Sequence, residues 1–270
     1  MGKIISITNQ KGGVGKTTTA INLSACLAMG TGSDNPTSPP TKCLTPRVLL
    51  VDIDPQANTT GGLGFDKNNL VQTIYEVLIN EHPVKDVILK YEEIPGLEII
   101  PSGIQLAGAP IELVGIENRE TRLRNCLSSI KDNYDFILID CPPSLGLLTI
   151  NGLNAADSVL IPVQCEYYAL EGLSQLLQTI NLVKGSFSPD LEIEGFLLTM
   201  HNARTNLSFE IIEEVRGYFK DKVYNTIIPR NVRLSESPSY GKPIILYDSC
   251  SRGAKAYQEL AKEFLQKNQR

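Results

Sequence analysis

Seven short runs rich in Ile, Val and Leu punctuate the chain: Ile4–Thr8, Val48–Val51, Leu97–Ile100, Phe136–Ile139, Val159–Val163, Gly195–Thr199 and Val223–Ile228. They are mostly continuous rather than alternating, which is the pattern of parallel strands covered on both faces. Between them, apolar positions recur at helical spacing over Thr18–Met29, Arg119–Ile130, Gly172–Val183 and Phe209–Phe219. The alternation predicts an α/β fold with a mostly parallel central sheet of about seven to eight strands and helices on both faces. A chain of 270 residues can bury that core as a single domain spanning 1–270.

Two segments stand apart. Gly30–Pro46 is rich in Gly, Ser, Asn, Asp and Pro. It is longer than the ~2–6 residues usual between a helix and a strand, so it is expected to be a surface insertion. The tail over Ala256–Gln269 places Tyr257, Leu260, Ala261, Phe264 and Leu265 on one helical face. That face is narrow and its polar side mixes Glu259 and Glu263 with lysines. A helix docked on the core is expected rather than one lying on a membrane.

Composition narrows the class. No apolar run reaches the ~20 residues of a membrane span, and no secretion signal is evident. The six cysteines, at positions 26, 43, 126, 141, 165 and 250, form no CxxC pair and no zinc-type spacing with histidine. A cytoplasmic protein with reduced thiols is expected, with no membrane partner. Net charge is −5, but residues 201–270 carry 12 Lys+Arg against 8 Asp+Glu while the rest carries 13 against 22. A polyanion would therefore be met by the last quarter of the chain.

Chemistry enters at the first strand. Ile4–Thr8 runs into the Gly-rich segment Asn9–Gly15 and then into a predicted helix from Lys16, the context that defines a phosphate-binding P-loop. In Lys11-Gly12-Gly13-Val14-Gly15-Lys16-Thr17-Thr18 the glycines let successive N–H groups turn toward phosphate oxygens, and the helix N-terminus adds its partial positive charge. Lys16 is expected at the β and γ phosphates of ATP and the Thr17 hydroxyl on Mg²⁺. The fold is thus expected to be that of a P-loop NTPase. The ordinary GxxxxGK(S/T) pattern has glycine where this chain has Gln10, and a second lysine, Lys11, follows it. Read by itself, Lys11 is a second phosphate cation.

Two further strands end in carboxylates. Val48–Val51 leads into Asp52-Ile53-Asp54-Pro55-Gln56, and Phe136–Ile139 into Asp140-Cys141-Pro142-Pro143. Ligands of open α/β sheets sit beyond the carboxyl ends of strands, so all three aspartates can face the phosphate loop. Phosphoryl transfer to water is mostly positioning and charge neutralisation. Asp54 is accordingly assigned to orienting the attacking water, and Asp52 and Asp140 to holding Mg²⁺ through its water shell.

The lysine-bearing loop resembles the deviant Walker motif of the ParA, MinD and nitrogenase iron-protein group. The blocks Val51–Gln56, Asp140–Ser144, Pro162–Glu166, Ile228–Glu236 and Gly241–Asp248 are similar to those of ParA/Soj partitioning ATPases, chromosomal Soj above all. The resemblance implies a homodimer formed around two ATP molecules, with Lys11 crossing to the partner's nucleotide and Asp140–Pro143 acting as a switch. It implies that Pro229 and Asn231 lie at the adenine. Arg204 and Arg233, solvated surface charges when read alone, would by the same likeness belong to a surface binding DNA without sequence preference. Hydrolysis would be stimulated by a ParB-like centromere-binding protein, and the ATP-bound dimer would be associated with the nucleoid. The Gly30–Pro46 insertion is longer than the family's usual turn. A MinD-like membrane-positioning ATPase and an iron–sulfur carrier are the competing readings.

Overall fold

The computed structural model describes residues 2–30, 45–166 and 169–268, so most of the predicted insertion, residues 31–44, lies outside the described residues. Strands β1 (Lys3–Ile7), β2 (Val48–Asp52), β3 (Leu89–Lys90), β4 (Leu97–Ile100), β5 (Phe136–Asp140), β6 (Ser158–Gln164) and β7 (Glu192–Thr199) form one sheet in the order β3-β4-β2-β5-β1-β6-β7. Every pairing is parallel except that of β3 with β4. The helices are α1 (Lys16–Met29), α2 (Asn58–Gly62), α3 (Ile74–Asn80), α4 (Ala109–Glu112), α5 (Arg122–Ser128), α6 (Leu147–Ala155), α7 (Ala169–Ser186), α8 (Asn206–Phe219), α9 (Val232–Glu236), α10 (Ile244–Tyr247) and α11 (Arg252–Asn268).

The continuous apolar runs have a direct explanation. Successive residues of a strand point to opposite faces, and here both faces are cores: Val48 and Leu50 join one cluster, Leu49 and Val51 the other. The first core lies under α1, α10 and α11, the second under α3, α5, α6, α7 and α8. The neighbouring strands β1 and β5 therefore send their connections, α1 and α6, to opposite faces. This opens a crevice at their carboxyl ends, where α/β sheets bind ligands.

The predicted tail helix is α11, and it docks as expected. Tyr257, Leu260, Ala261 and Phe264 are buried, and the Phe264 ring meets Phe136 edge-on at 5.2 Å between centroids. Among the described residues, no helix is long and apolar enough to cross a membrane.

The run Val223–Ile228, predicted as a strand, is not one. Beside β7 it forms only isolated bridges among the described residues, Phe196–Val223 at its start and His201–Pro229 just past its end, with Tyr224 N donating to the Phe196 carbonyl and Ile228 N to the Leu198 carbonyl, both at 2.9 Å. Its middle cannot ladder because the backbone N–H groups of Asn225 and Thr226 donate instead to the Glu263 carboxylate of α11, at 2.8 and 2.9 Å. The seventh strand is the two-residue antiparallel edge β3, too short to register as a periodic run.

Candidate functional site

The phosphate loop leaves β1 at Thr8 and curls over the N-terminus of α1. Gly13 and Gly15 adopt left-handed backbone angles, φ 74° and 91°, which a side chain would strain. Gly15 caps α1 without a side chain of its own. The loop is pinned from outside: Asn9 Nδ2 donates to the Pro162 carbonyl at 2.8 Å, while its Oδ1 accepts from Lys11 N at 3.0 Å. Thr199 Oγ1, at the end of β7, donates to the Val14 carbonyl at 2.8 Å. Gln10, standing where the ordinary motif has glycine, donates from Nε2 to the Gly172 carbonyl of α7 at 2.8 Å.

A cavity of about 240 Å³ opens over this loop, lined by Gly12, Gly13, Gly15, Lys16, Thr17 and Thr18 on one side and Asp54, Asn58, Pro143 and Met200 on the other. Lys16 is buried and donates to the Lys11 carbonyl at 3.1 Å. Burial holds its ammonium below the ordinary lysine pKa, with Asp140 opposing the shift. A cation that has given up water for one carbonyl gains strongly from an arriving phosphate. Lys11 is half-buried beside the cavity but is not among the residues that line it.

Asp54 faces Lys16 and Thr17 across this cavity, and its Oδ1 accepts from Gln56 N at 3.0 Å. Asp52 and Asp140 stand side by side in register on β2 and β5, both fully buried. Asp140 Oδ2 accepts from Thr17 Oγ1 at 2.8 Å and from Thr59 Oγ1 at 2.7 Å, whereas Oδ1 is buried with no partner. Asp52 is more fully engaged: Oδ2 accepts from Thr60 N and Oγ1 at 2.9 and 2.7 Å, and Oδ1 from Asp54 N at 3.1 Å. Burial pushes both carboxyls above the ordinary aspartate range, and the Asp140 charge adds to the shift at Asp52.

Among the described residues, no group of three or more His, Cys, Asp or Glu side chains is disposed to hold a metal ion by itself. A hydroxyl–carboxylate pair with one carboxylate oxygen unpartnered fits Mg²⁺, which keeps waters and takes phosphate oxygens alongside one or two protein groups.

A second cavity of about 310 Å³ adjoins the first through Gly15, Thr18 and Met200, and its far wall is Ile228, Pro229, Arg230, Asn231, Leu234 and Tyr257. Pro229 and Asn231 thus share a wall next to the phosphate loop. Asn231 Oδ1 accepts from Arg233 N at 2.8 Å and so caps α9. The His201–Pro229 bridge ties this wall to the β7–α8 turn that carries Arg204. Both arginines are exposed. Arg204 has no acidic partner among the described residues, while Arg233 pairs with Glu236 at 2.9 Å and Asp248 at 3.5 Å.

The family profile described as an AAA domain matches residues 2–193. The sporulation initiation inhibitor protein Soj of Bacillus subtilis is 61% identical over 263 residues, covering 97% of this chain and 98% of that one. This chain belongs to the ParA/Soj family. The chromosome partitioning protein ParA of Myxococcus xanthus is 54% identical over 268 residues, covering 99% of this chain and 89% of its own length. Among solved structures, cobyrinic acid a,c-diamide synthase of Mycobacterium smegmatis, with bound ADP and magnesium, superposes at a TM-score of 0.83 with 34% identity over 100% of this chain and 96% of that one. In this ParA/Soj chain the residues that sequence reasoning missed are the hydroxyls of Thr59, Thr60, Ser102 and Thr199. Their only signal was that two of them follow the Asp52–Gln56 block closely.

Proposed function

We propose that this ParA/Soj ATPase uses Mg·ATP to form a homodimer that binds DNA without sequence preference, and that hydrolysis to ADP and phosphate releases the DNA. ATP hydrolysis with Mg²⁺ is the family activity. The observation that carries its assignment to this site is one cavity with Lys16 and Thr17 on one wall and Asp54 on the other. Lys16 neutralises the β and γ phosphates, backed by the N–H groups of Gly12–Thr18. Thr17 would hold Mg²⁺, with Asp140 reaching it through water and Asp52 behind it; bound there, the ion neutralises charge on the transferred phosphoryl group. Asp54 orients the attacking water.

Pro229 and Asn231 take the adenine in the adjoining cavity. Lys11 reaches the partner's nucleotide across the dimer. Arg204 and Arg233 form the DNA surface, supported by their position on the basic last quarter of the chain, Arg204 on the β7–α8 turn and Arg233 at the start of α9, which follows the His201–Pro229 bridge closely. A ParB-like centromere-binding protein accelerates the slow intrinsic turnover. The test is DNA binding measured with ADP, ATP and a slowly hydrolysed ATP analogue. Retention with ATP and the analogue alone is expected; equal retention with ADP refutes the cycle.

A further inference from the structure

Asp54 leaves the end of β2 in a tight turn whose exit residue, Ala57, has a left-handed backbone with φ 51°. A residue with a Cβ holds that conformation only at an energetic cost, so the surroundings must over-determine it. They do so through a closed ring of buried hydrogen bonds. Asp54 N donates to Asp52 Oδ1 at 3.1 Å. Asp52 Oδ2 accepts from Thr60 Oγ1 at 2.7 Å, and that same hydroxyl accepts from Ser102 N at 2.9 Å. Ser102 Oγ then donates to the Asp54 carbonyl at 2.7 Å, which closes the circuit. Asp52, Thr60 and Ser102 are fully buried.

The ring joins the end of β2 to helix α2, with Thr60 8 residues after Asp52, and to the turn after β4, with Ser102 42 residues after Thr60. It seizes both backbone polar groups of Asp54 while leaving the side chain facing the cavity. The Asp54 carbonyl also accepts from Ala57 N at 2.9 Å, so the turn and the ring share one anchor. An isolated cap of α2 would need only the Thr60 N to Asp52 bond. The Ser102 hydroxyl adds nothing to that cap, and its one hydrogen bond among the described residues goes to the Asp54 carbonyl.

We infer that Thr60 and Ser102 are positioning residues for hydrolysis: Ser102 holds the Asp54 carbonyl, and Thr60 holds both Ser102 and the Asp52 carboxylate that takes the Asp54 N–H, so the Asp54 side chain is fixed through its backbone. The inference rests on the assignment of Asp54 to the attacking water. Since misplacing a catalytic group by about 1 Å can cost on the order of 100-fold, loss of one ring member is expected to lower kcat by roughly ten- to a hundred-fold while the KM for ATP stays within about twofold.

The experiment is steady-state ATPase kinetics, ATP affinity by calorimetry and thermal unfolding on full-length Ser102→Ala, Thr60→Val and Thr60→Ser, with Asp54→Ala and the Asp54→Ala/Ser102→Ala pair alongside. The expected result is a kcat loss in Ser102→Ala and Thr60→Val at unchanged ATP affinity, recovered largely in Thr60→Ser, which keeps the hydroxyl. The double variant should be no slower than Asp54→Ala alone, because Ser102 acts only through Asp54. Wild-type kcat in folded Ser102→Ala and Thr60→Val, with Asp54→Ala inactive, overturns the clamp and leaves Asp54 standing. Active Asp54→Ala overturns the assignment of Asp54 itself. Equal loss of kcat and ATP affinity, or a double variant further impaired than Asp54→Ala, assigns the ring to general stability and overturns the positioning role.

Discussion

The Lys16 ammonium folds back onto the carbonyl of Lys11, 3.1 Å away, so the loop itself partners the cation that we propose for the ATP phosphates. The exchange of a neutral carbonyl for a multiply charged anion is where nucleotide affinity arises. Lys16→Ala is expected to abolish both ATP retention and hydrolysis. Isothermal calorimetry giving near wild-type ATP affinity would remove Lys16 from this role.

Asp54 lines the same cavity without touching Lys16 through any hydrogen bond. Asp54→Ala should therefore leave the phosphate cradle whole and slow hydrolysis by orders of magnitude, with the protein accumulating as an ATP-bound dimer. Size-exclusion chromatography with ATP reads this directly, and a monomer at full ATP occupancy contradicts it.

Glycines 12 and 15 make opposite predictions. A Cβ at Gly12 meets nothing within 4 Å and the residue lies exposed on the loop, so Gly12→Val should fold with its melting temperature unchanged. It is expected to bind ATP as a monomer that neither hydrolyses it nor holds DNA, because the branched side chain obstructs a second copy. Gly15, at φ 91°, should cost about 1–2 kcal/mol on replacement by Ala through backbone strain. Thermal melts and sedimentation on the two variants separate these effects; a dimeric, DNA-bound Gly12→Val overturns the first.

Glu263 holds the segment leading to Pro229 and Asn231 in the wall of the second cavity. Although its burial alone would raise the carboxyl pKa, the N–H groups of Asn225 and Thr226 and the Thr226 hydroxyl outweigh that and hold it below the usual 4.5. A depressed folded-state pKa means that the stabilisation is in place above 4.5 and is lost as pH falls through the lower folded value. Glu263→Gln should flatten the acid limb of the stability curve. Denaturant melts between pH 3 and 7, about the window set by this linkage, check it: identical pH dependence in both proteins refutes the role.

Arg204 and Arg233 are predicted to contact phosphates rather than bases. Changing either to Ala should weaken DNA binding evenly across sequences and make the slope of log affinity against log salt shallower by roughly one per contact. Arg233→Ala also frees Glu236 and Asp248, so it should cost more than Arg204→Ala. ATP binding and dimerisation should survive in both. Fluorescence anisotropy across a salt series is the measurement. Unchanged affinity in the double variant would refute the surface, and lost dimerisation would relocate the arginines to the subunit interface.

The amino-acid sequence by itself determined the α/β class, the tail helix and the phosphate loop. In each case the information is local: strand runs, one helical face, and Lys11–Thr18, where the chemistry sits within eight consecutive residues. It also brought Asp52, Asp54 and Asp140 to strand ends. What it could not separate was their environments. Only the packed sheet set Asp52 and Asp140 in register, turned Asp54 into the cavity and left one oxygen of Asp140 unpartnered. The apolar run Val223–Ile228 looked like a strand until Glu263, from a helix nearly forty residues on, took the N–H groups of Asn225 and Thr226 in its middle. Ser102 carried no signal, and Thr60 only its nearness to the Asp52–Gln56 block, because hydroxyls acquire roles only from what packs against them. Backbone periodicity is written along the chain, whereas hydrogen bonds between buried side chains of distant segments exist only once the tertiary fold has removed the water that would otherwise satisfy them.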